Sequence, residues 1–561
     1  VLSAARESIV DSVAGIHRAG RRAFVVATTN ADAIAGEAAG ADGVIAKGHE
    51  AGGWVGDETA FVLLQRIVPS VRVPVWVYGG VGLHTAAACH VAGAAGVVLD
   101  GQMLLAKESP IGDDLRSRIR SMDGSETACF GASLGAPSRA YARPDLPAVG
   151  ELQRLEAEIV REERGPAEAG RSWRAAVLDR VGWDRPDRQV LALGQDAAFA
   201  ATLAARFVTV GGILAGYREA VLDHCASARG GDAFRAGTSL ARSHGTRYPI
   251  VQGPMTRVSD RAAFAAAVAE AGALPFLALS LMRAPDVRAL LDESRRQLGD
   301  RPWGVGILGF VPPELRAEQL EATRAFRPSF ALIAGGRPAQ AKELEHDGIT
   351  TYLHVPSPGL LRMFLQDGAR RFVFEGRECG GHVGPRSSFV LWDTMIDVLL
   401  QHMPAGASGH DYHILFAGGI HDGISAAMVA AMAAPLASRG VRIGVLLGTA
   451  YLFTDEGVTT GALTAGYQQA ALACERTALL ETGPGHATRC APSPFVDFFE
   501  QEKRRLLTSG TSRDDTRNHL EMLNIGRLRI ASKGVDRNSR FERDPSEPRL
   551  IPLEEDAQRS Q

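Results

Sequence analysis

The sequence predicts an α/β protein whose main unit is a (β/α)8 TIM barrel, preceded by a second, partial (half) barrel of the same type. Two observations predict this fold. Short β-branched runs alternate with Ala-, Leu- and Arg-rich segments of helical period, and the same order of features occurs twice along the 561 residues. Such alternation is typical of parallel strands joined by crossover helices.

The internal repeat is clearest in a glycine-rich stretch. Residues 41–56 read ADGVIAKGHEAGGWVG and residues 369–384 read ARRFVFEGRECGGHVG, with their glycines in register. In both copies an apolar strand ending in Gly-Gly follows, and then a further strand and glycine: residues 74–80 and 96–101 in the first copy, 412–419 and 443–448 in the second. A repeat of this length indicates a duplicated structural unit.

Eight strand signals in the second copy support a complete barrel, since eight βα units in about 250 residues is the size of this fold. They lie at Pro249–Gly253, Leu274–Ser280, Trp303–Leu308, Phe330–Ala334, Thr351–Val355, Phe372–Glu375, His413–Ala417 and Ile443–Leu447. The first copy offers only the last four, near residues 24–27, 44–46, 75–78 and 97–99.

The chain is therefore divided into four predicted regions. Residues 1–110 form a catalytically degenerate half barrel and residues 111–235 a helical linker or cap. Residues 236–508 form the complete barrel, and the polar residues 509–561 resemble a C-terminal linker. The first residues lack both an initiator Met and a signal-peptide layout, so we expect a piece of a longer chain.

Composition narrows the possible partners. The formal net charge is −3 with both signs interspersed, which argues against a nucleic-acid footprint. The six cysteines form no C-x-x-C pair, so we predict no disulfides and no metal site. The most apolar long window, residues 203–222, contains charged residues and predicts a buried helix, not a membrane span. A cytoplasmic protein with a small or carrier-bound substrate fits these features.

The active site of a parallel barrel is built from the carboxyl ends of its strands. Four clusters fall there: residues 253–255, 375–384, 418–420 and 448–450. Glycines after the seventh and eighth strands allow backbone N–H groups to approach a phosphate. Any one glycine pair is explained by the end of a strand, but two pairs at adjacent strand ends favour a phosphate-bearing cofactor.

His382 is the candidate proton-transfer residue. It stands between small residues in Gly-Gly-His-Val-Gly, and histidine titrates near neutral pH. His354, at the end of the fifth strand, is a weaker candidate for a substrate or flavin contact. For Arg377, Glu378 and Cys379 we favour roles in bracing the loop and in packing over direct chemistry.

These residues resemble the nitronate monooxygenase family (formerly 2-nitropropane dioxygenases) and the bacterial flavin-dependent enoyl-acyl carrier protein reductases that share its fold. The matching strings are residues 249–255, 375–384, 417–420 and 448–453. The resemblance covers nearly all of the second copy and implies an FMN cofactor. It places Gly418, Gly419, Gly448 and Thr449 on the phosphate, Gly253, Pro254 and Met255 along the isoalloxazine, Glu375, Gly380 and Gly381 among the cofactor contacts, and His382 as the catalytic histidine.

The chain departs from the family at three positions. Gly306 stands where the family often has Asn at the end of the third strand, and Glu375 stands where it has Gln. A flavin contact is therefore expected to be lost or replaced. Trp54 occupies the position of His382 in the first copy, so we expect that copy to lack proton transfer even if Gly79, Gly80 and Gly101 bind a phosphate.

Two longer strings, residues 246–260 and 481–490, are similar to flavin domains of iterative polyketide and polyunsaturated fatty acid synthases. This resemblance implies an enoyl-thioester reductase with NAD(P)H as reductant, a carrier-bound acyl substrate and neighbouring synthase domains as partners. Nitronate oxidation with O2 remains the alternative, because both reactions use the same flavin cradle. A third hypothesis makes the first copy a non-catalytic scaffold.

Overall fold

The structure is a computed structural model of the whole chain. It describes residues 1–3, 9–143, 146–162, 165–185, 188–231, 233–404, 406, 408–483, 486–538, 540 and 548–561. Two residues of the synthase-like string, 484 and 485, lie outside these ranges.

The first copy forms an open parallel sheet with the strand order β1-β2-β3-β5-β6. The elements up to residue 231 are β1 (Leu2–Ser3), α1 (Ile9–Arg18), β2 (Phe24–Ala27), α2 (Asn30–Ala38), β3 (Gly43–Lys47), β4 (Gly53–Trp54), α3 (Ala60–Ile67), β5 (Val75–Tyr78), α4 (Leu83–Val91), β6 (Gly96–Val98), α5 (Asp113–Arg120), β7 (Thr127–Phe130), β8 (Ser138–Tyr141), α6 (Pro147–Arg161), α7 (Pro166–Arg180), α8 (Ala200–Phe207) and α9 (Val210–Gly231). The four predicted strands are present. The two-residue strand β1 was not predicted, because it is too short to show a pattern, and a partial barrel as such is not confirmed.

The region predicted as a helical linker also contains strands. β7 and β8 form an antiparallel hairpin, and β8 pairs with β4 so that Trp54 lies opposite Ser138. The side chains of β8 are all buried, and Trp173 of α7 is fully buried beneath the hairpin with its indole N–H donating to the Ala136 carbonyl at 2.9 Å. The hairpin is therefore part of the first copy's core rather than a connector.

The second copy is a closed barrel of eight parallel strands, as predicted. Its elements are α10 (Ser239–His244), β9 (Ile250–Gln252), α11 (Ala262–Glu270), β10 (Leu274–Ala278), α12 (Ala284–Leu298), β11 (Gly304–Leu308), α13 (Pro313–Phe326), β12 (Phe330–Ala334), α14 (Pro338–His346), β13 (Thr350–His354), α15 (Pro358–Gln366), β14 (Arg371–Glu375), β15 (Gly381–Val383), α16 (Ser388–His402), β16 (His413–Ala417), α17 (Gly423–Ser438) and β17 (Arg442–Leu447). β17 pairs with β9 to close the ring. The strands are buried on both faces because helices cover the outside and side chains fill the inside.

A polar row closes the amino-terminal end of the barrel. His244 of α10 hydrogen-bonds the Tyr352 hydroxyl at 2.7 Å, and that hydroxyl contacts Nδ1 of His413 at 3.1 Å. Arg442 donates to Nε2 of His413 at 3.0 Å. Burial lowers the pKa of both His244 and His413 to about 3, so neutral rings complete the row. This end stabilises the barrel, and the active site is expected at the opposite, carboxyl-terminal end.

The elements after the barrel are α18 (Asp455–Thr459), α19 (Ala465–Leu472), β18 (Ala478–Gly483), β19 (His486–Cys490), α20 (Pro494–Thr508), α21 (Arg513–Asn524), α22 (Arg527–Lys533), β20 (Val535–Arg537), β21 (Leu550–Pro552) and α23 (Glu555–Arg559). β15, β19 and β18 form a small sheet beside the barrel mouth. The predicted linker differs from the structure, since Lys533 forms an ion pair with Asp260 at 2.6 Å and Leu520 is fully buried. The described tail thus packs against the barrel.

The two copies pack against each other through equivalent helices. Phe61 of α3 is fully buried, with its ring 5.3 Å from that of Phe389 and 5.2 Å from that of Trp392, both on α16. Phe61 and Phe389 hold the same position in the repeat, and α4 packs on α17 in the same way. A single hydrophobic core therefore spans both copies.

In the described ranges, no individual helix is both long and apolar enough to cross a bilayer. Taken together, Gln195–Phe207 and Val210–Gly230 would pass on length and composition, but they are bent by 99°.

Candidate active site

A short 3-10 turn follows the last barrel strand at the carboxyl end. It covers Thr449–Phe453 and begins at Gly448, which has φ −121° and ψ −76°. The first N–H groups of a helical turn have no partner within the turn, so they are available to an anion. The predicted phosphate residues Gly448 and Thr449 thus stand where N–H groups are free to bind one.

The Gly418–Gly419 pair makes the turn after β16. Both residues have positive φ, 111° and 73°, which favours glycine. A Cβ on Gly418 would lie 3.1 Å from the Ser388 hydroxyl, and one on Gly419 would lie 3.0 Å from the ring of Phe61. Packing alone therefore requires glycine at both positions. Phosphate binding here would use the backbone N–H groups.

The other predicted cofactor segments converge on the same turn. A Cβ on Gly448 would lie 3.6 Å from the sulfur of Met255, and one on Gly380 would lie 3.1 Å from the Thr449 hydroxyl. Gly381 has open space on its Cβ side and a φ of 83°. The mouth of the barrel is thus lined by three segments that are far apart in sequence, namely 253–255, 380–381 and 448–449.

His354 and Glu375 form an ion pair at the ends of β13 and β14. Burial disfavours the charged imidazolium, but Coulombic attraction to Glu375 and the hydrogen bond that the ring donates to it outweigh burial and raise the pKa of His354. Burial also opposes the carboxylate, yet His354 and the Cys379 thiol together hold the pKa of Glu375 below its usual value. The sequence suggested each residue separately, but their pairing depends on neighbouring strand ends.

Cys379 is a packing residue in this arrangement. Burial and the neighbouring Glu375 raise the pKa of its thiol well above the usual value, so the nucleophilic thiolate is disfavoured. Its Sγ lies 3.4 Å from the His382 carbonyl. The loop is braced as the sequence suggests, with Arg377 donating to Glu481 at 3.1 Å and Glu378 accepting from the Ser388 N–H at 2.8 Å.

His382 lies on β15, opposite Thr488 of β19. Its side chain is exposed, and its charge contributes to the low pKa of Glu375. The sheet therefore holds His382 near the His354–Glu375 pair with its ring accessible to solvent.

The structure accounts for the glycine at position 306. A Cβ there would lie 2.2 Å from Cβ of Pro254, so an Asn side chain does not fit while Pro254 holds this position. The glycine that departs from the family pattern at position 306 is thus required by the position of Pro254 in the Gly-Pro-Met segment.

Two loop residues at the barrel mouth were not predicted from the sequence as part of the site. Arg257 and Ser280 adopt positive φ, 60° and 49°, in the loops after β9 and β10. Left-handed backbone at non-glycine residues concentrates at functional sites. Leu281 and Phe310 follow β10 and β11 and are 60% and 69% exposed, which gives the same face an apolar surface. Only their position after predicted strands signals them in sequence.

The equivalent corner of the first copy is built differently. Its 3-10 turn, Gly101–Met103, begins at Asp100, whose φ of −139° and ψ of −91° are close to those of Gly448. A Cβ on Gly101 would lie 3.0 Å from a carboxylate oxygen of Asp196. Asp196 is buried, and neither of its oxygens has a hydrogen-bond partner in the described chain. Two carboxylates of the protein therefore lie where the barrel would hold an anion.

Burial sets the charge of this corner. It raises the pKa of Asp196 to about 7, with Asp100 adding to the shift, and lowers the pKa of Lys47 to about 8. Tyr78 donates to Asp100 at 2.5 Å, and the Lys47 ammonium lies 4.9 Å from the centre of the Tyr78 ring. Lys47 and Tyr78 stand at the ends of β3 and β5, where the barrel has Glu375 and Ala417.

Comparison with known proteins places the chain among flavin enzymes. The family model described as nitronate monooxygenase matches residues 2–203, so the match falls on the first copy and includes much of the region predicted as a linker. A curated relative from Mycobacterium tuberculosis, (3aS,4S,5R,7aS)-5-hydroxy-7a-methyl-1-oxo-octahydro-1H-indene-4-carboxyl-CoA dehydrogenase, is 27% identical over 278 residues, covering 48% of this chain and 70% of the relative. A nitronate monooxygenase from Pseudomonas aeruginosa is 28% identical over 306 residues, covering 46% of this chain and 81% of the relative.

Solved structures give matches of lower similarity. FabK from Thermotoga maritima aligns with a TM-score of 0.43 at 23% identity, covering 57% of this chain and 89% of that chain. The enoyl reductase domain of MlnA from Bacillus amyloliquefaciens aligns with a TM-score of 0.39 at 14% identity, covering 56% and 80%. With the family-model match and the curated relatives, the chain is a flavin-dependent oxidoreductase that is similar to the nitronate monooxygenase family.

Proposed function

We propose that the barrel binds one FMN and reduces enoyl thioesters in the cytoplasm with NAD(P)H as the electron source. The observation that carries this proposal is the convergence of three glycine-containing segments on the free N–H end of the 3-10 turn, beside His354, Glu375 and His382. The flavin chemistry belongs to the family, while the choice of FMN and of substrate is our inference.

The residues at the mouth fit FMN. The N–H groups after Gly448 would hold its phosphate, and a Cβ there would point toward Met255, so glycine leaves room for a flat ring system. When bound, FMN supplies hydride transfer between a nicotinamide and the thioester's carbon–carbon double bond. Gly253–Met255 would orient its isoalloxazine.

The His354–Glu375 pair would polarise the cavity. Glu375 favours the charged form of His354, in which the second ring nitrogen also carries a proton that it can donate. A thioester carbonyl is an acceptor suited to such a donor. This pair would orient the substrate carbonyl and stabilise negative charge that develops on its oxygen.

His382 would transfer the proton to the α-carbon. Its exposed imidazole stands on a strand held by the small sheet, so its backbone is fixed while its ring is accessible. Histidine is suited to proton transfer near neutral pH.

The acyl chain would lie on the apolar surface formed by Leu281 and Phe310. Both are largely exposed on loops at the carboxyl face of the barrel. Such a surface fits a hydrocarbon chain delivered by a carrier protein, and the synthase-like strings support neighbouring synthase domains as partners. The first copy would then act as a scaffold, because its own anion corner holds Asp100 and Asp196.

Nitronate oxidation is the second candidate, and the Pseudomonas aeruginosa relative favours it. His382 would then abstract a proton from the carbon bearing the nitro group of a neutral nitroalkane, which gives the nitronate that is oxidised. The residues of the mouth serve both reactions, so substrate tests are needed to separate them.

The decisive experiment is anaerobic stopped-flow spectroscopy of the FMN-loaded chain. The flavin is reduced with NADPH or NADH and mixed with a crotonyl thioester. Separately, the oxidised flavin is mixed with a nitronate before O2 is admitted. We expect the thioester to reoxidise the flavin. The rate of reoxidation should fall about 10²–10⁴-fold in His382→Ala. It should not change in His486→Ala, which alters an exposed histidine on neighbouring β19. Reduction of the oxidised flavin by the nitronate, with no reoxidation of reduced flavin by the thioester, would establish the oxidase, and failure to bind FMN would refute both.

A further inference from the structure

A buried polar cluster lies between the two copies, away from the barrel mouth. His84 stands in the first turn of α4, His224 in α9, and Asp393 and Asp397 one turn apart on α16. His84 is 4% exposed, His224 8% and Asp393 2%. Three separate parts of the chain thus bring ionisable groups into a site that the flavin chemistry does not use.

Hydrogen bonds join these groups into a row. Nδ1 of His84 lies 2.8 Å from Nε2 of His224, and Nε2 of His84 lies 3.1 Å from Oδ1 of Asp397. The proton that each ring carries sets which of these nitrogens donates.

The histidine rings alone do not balance the charge of the cluster. With a proton on Nε2 of each ring, His224 donates to Nδ1 of His84 and His84 donates to Asp397, and both rings are neutral. Among the described residues, no lysine or arginine donates a hydrogen bond to Asp393 or Asp397. A bound cation would supply the missing positive charge.

Asp393 favours the metal ion. Its Oδ2 accepts from the N–H groups of His84 and Thr85, at 2.9 and 2.8 Å, and from the Thr85 hydroxyl at 3.0 Å. Its Oδ1 has no hydrogen bond among the described residues. A single added proton would leave the two carboxylates with an excess negative charge, whereas a divalent cation balances both.

The geometry suits a transition metal. Ligand atoms from His84, Asp393 and Asp397 all lie within 4.8 Å of one another. Zinc–nitrogen and zinc–oxygen bonds of about 2.0–2.2 Å place tetrahedral ligand atoms roughly 3.4 Å apart, close to the separation of His84 and Asp397. Metal-binding histidines donate their other ring N–H to an acceptor, which is the role open to His224.

We propose that His84, Asp393 and Asp397 bind a divalent transition-metal cation of the zinc type, with His224 orienting His84. The site joins the first copy to the barrel. Arg206 of α8 lies within Coulombic range and opposes a cation, but in the described chain it donates no hydrogen bond to either carboxylate. Two carboxylates and an imidazole outweigh this single distant charge.

The internal repeat indicates that the proposed cation site is specific to the contact between α4 and α16, because the equivalent helices α17 and α3 differ at the same positions. In the barrel, α17 begins at its own Asp422, whose Oδ1 accepts from the Ser425 N–H at 2.8 Å. In the first copy, α4 begins at Gly82, and Asp393 reaches across from α16 to cap it. A Cβ on Gly82 would lie 2.3 Å from Asp393, so the glycine makes this approach possible. The position equivalent to Asp393 is Gln65 in α3, which is not a comparable ligand.

The test uses the full chain and Zn²⁺ alone as probe. After treatment with a chelator, the protein is dialysed against Zn²⁺, and metal per chain is measured by mass spectrometry alongside the thermal midpoint of unfolding. We expect one zinc per chain and a higher midpoint. His224→Gln should weaken zinc binding by about 10–100-fold, and Asp397→Asn and His84→Gln should abolish it.

Exposed Asp411→Asn is the control and should retain the zinc. Co²⁺ in place of Zn²⁺ should give visible absorption that Asp397→Asn removes, which separates loss of the site from loss of the fold. A chain that takes up no zinc, or one whose zinc survives Asp397→Asn, would overturn the proposal in favour of an imidazolium–carboxylate pair. Neither outcome depends on flavin activity.

Discussion

The barrel and the first copy share a backbone plan at the end of their last strands, yet the two corners have opposite electrostatics. Gly448 and Asp100 begin the same kind of 3-10 turn with similar dihedral angles. The barrel has a glycine at the start of this turn, while the first copy places Asp100 and Asp196 there. A duplicated frame can therefore keep its fold while two carboxylates change the charge at its strand ends.

The flanking strands show the same divergence. His382 is exposed on β15, whereas Trp54 on β4 packs against the hairpin, with the Arg174 guanidinium 5.1 Å from its ring. β4 and β15 pair with equivalent strands, and Arg139 and Arg489 face the same repeat positions. In one copy this position is accessible to a substrate, and in the other it serves packing.

The largest effect we expect is on the contact that unites the copies. Phe61→Ala removes a fully buried ring from between Phe389 and Trp392 and should cost about 3–5 kcal/mol of unfolding free energy. Urea denaturation measures this loss. Because Phe61 also supports Gly419, flavin affinity should fall as well. A loss below about 1 kcal/mol would mean that the copies are stable independently.

The next effect tests the two phosphate corners directly. Gly448→Asp copies the first copy's residue into the barrel, at dihedral angles that Asp100 already adopts. A carboxylate about 4 Å from a phosphate costs roughly 4 kcal/mol at an effective dielectric of 20, so the Kd for FMN should rise about 10²–10³-fold.

Fluorescence titration of free FMN measures that Kd. The reciprocal variant Asp100→Gly should leave one flavin per chain, since Asp196 still fills the corner of the first copy. Two flavins per wild-type chain would contradict the scaffold role.

The effect that is smallest per measured step, one pH unit, concerns the buried carboxyl group of Glu50. Burial and the nearby Glu378 raise the pKa of Glu50 to about 8. The folded chain then holds a proton between about pH 4.5 and pH 8 that the unfolded chain releases, so stability falls as pH rises through this window, by up to about 1.4 kcal/mol per pH unit.

Glu50→Gln should flatten this dependence in urea unfolding measured at several pH values. Glu151→Gln, at an exposed position on α6, should retain the wild-type slope. An unchanged slope in Glu50→Gln would show that Glu50 is ionised in the folded chain.

Local pattern was sufficient for much of the fold. The eight barrel strands lie within one or two residues of their predicted ends, because buried parallel strands are continuous apolar runs bounded by glycine or charge. The pattern failed for β1 and for the β7–β8 hairpin. A two-residue strand has no periodicity, and the hairpin forms because it buries Trp173.

The candidate site also contains residues that the sequence identifies and residues that only the fold brings together. Glycine after a strand is a local signal, and it identified the turns that contain Gly418, Gly419, Gly448 and Thr449. The His354–Glu375 pair and the role of Asp196 were not identifiable in this way, since each joins groups distant in sequence.

By itself the sequence determined the barrel, the repeat and the family's flavin chemistry, because these depend on periodicity and short motifs. Only the tertiary structure decided that the first copy's anion corner is filled by its own carboxylates and that His84, Asp393 and Asp397 meet between the copies. Such encounters depend on how helices pack across a shared core. No local pattern encodes that packing, because it minimises the free energy of the whole chain.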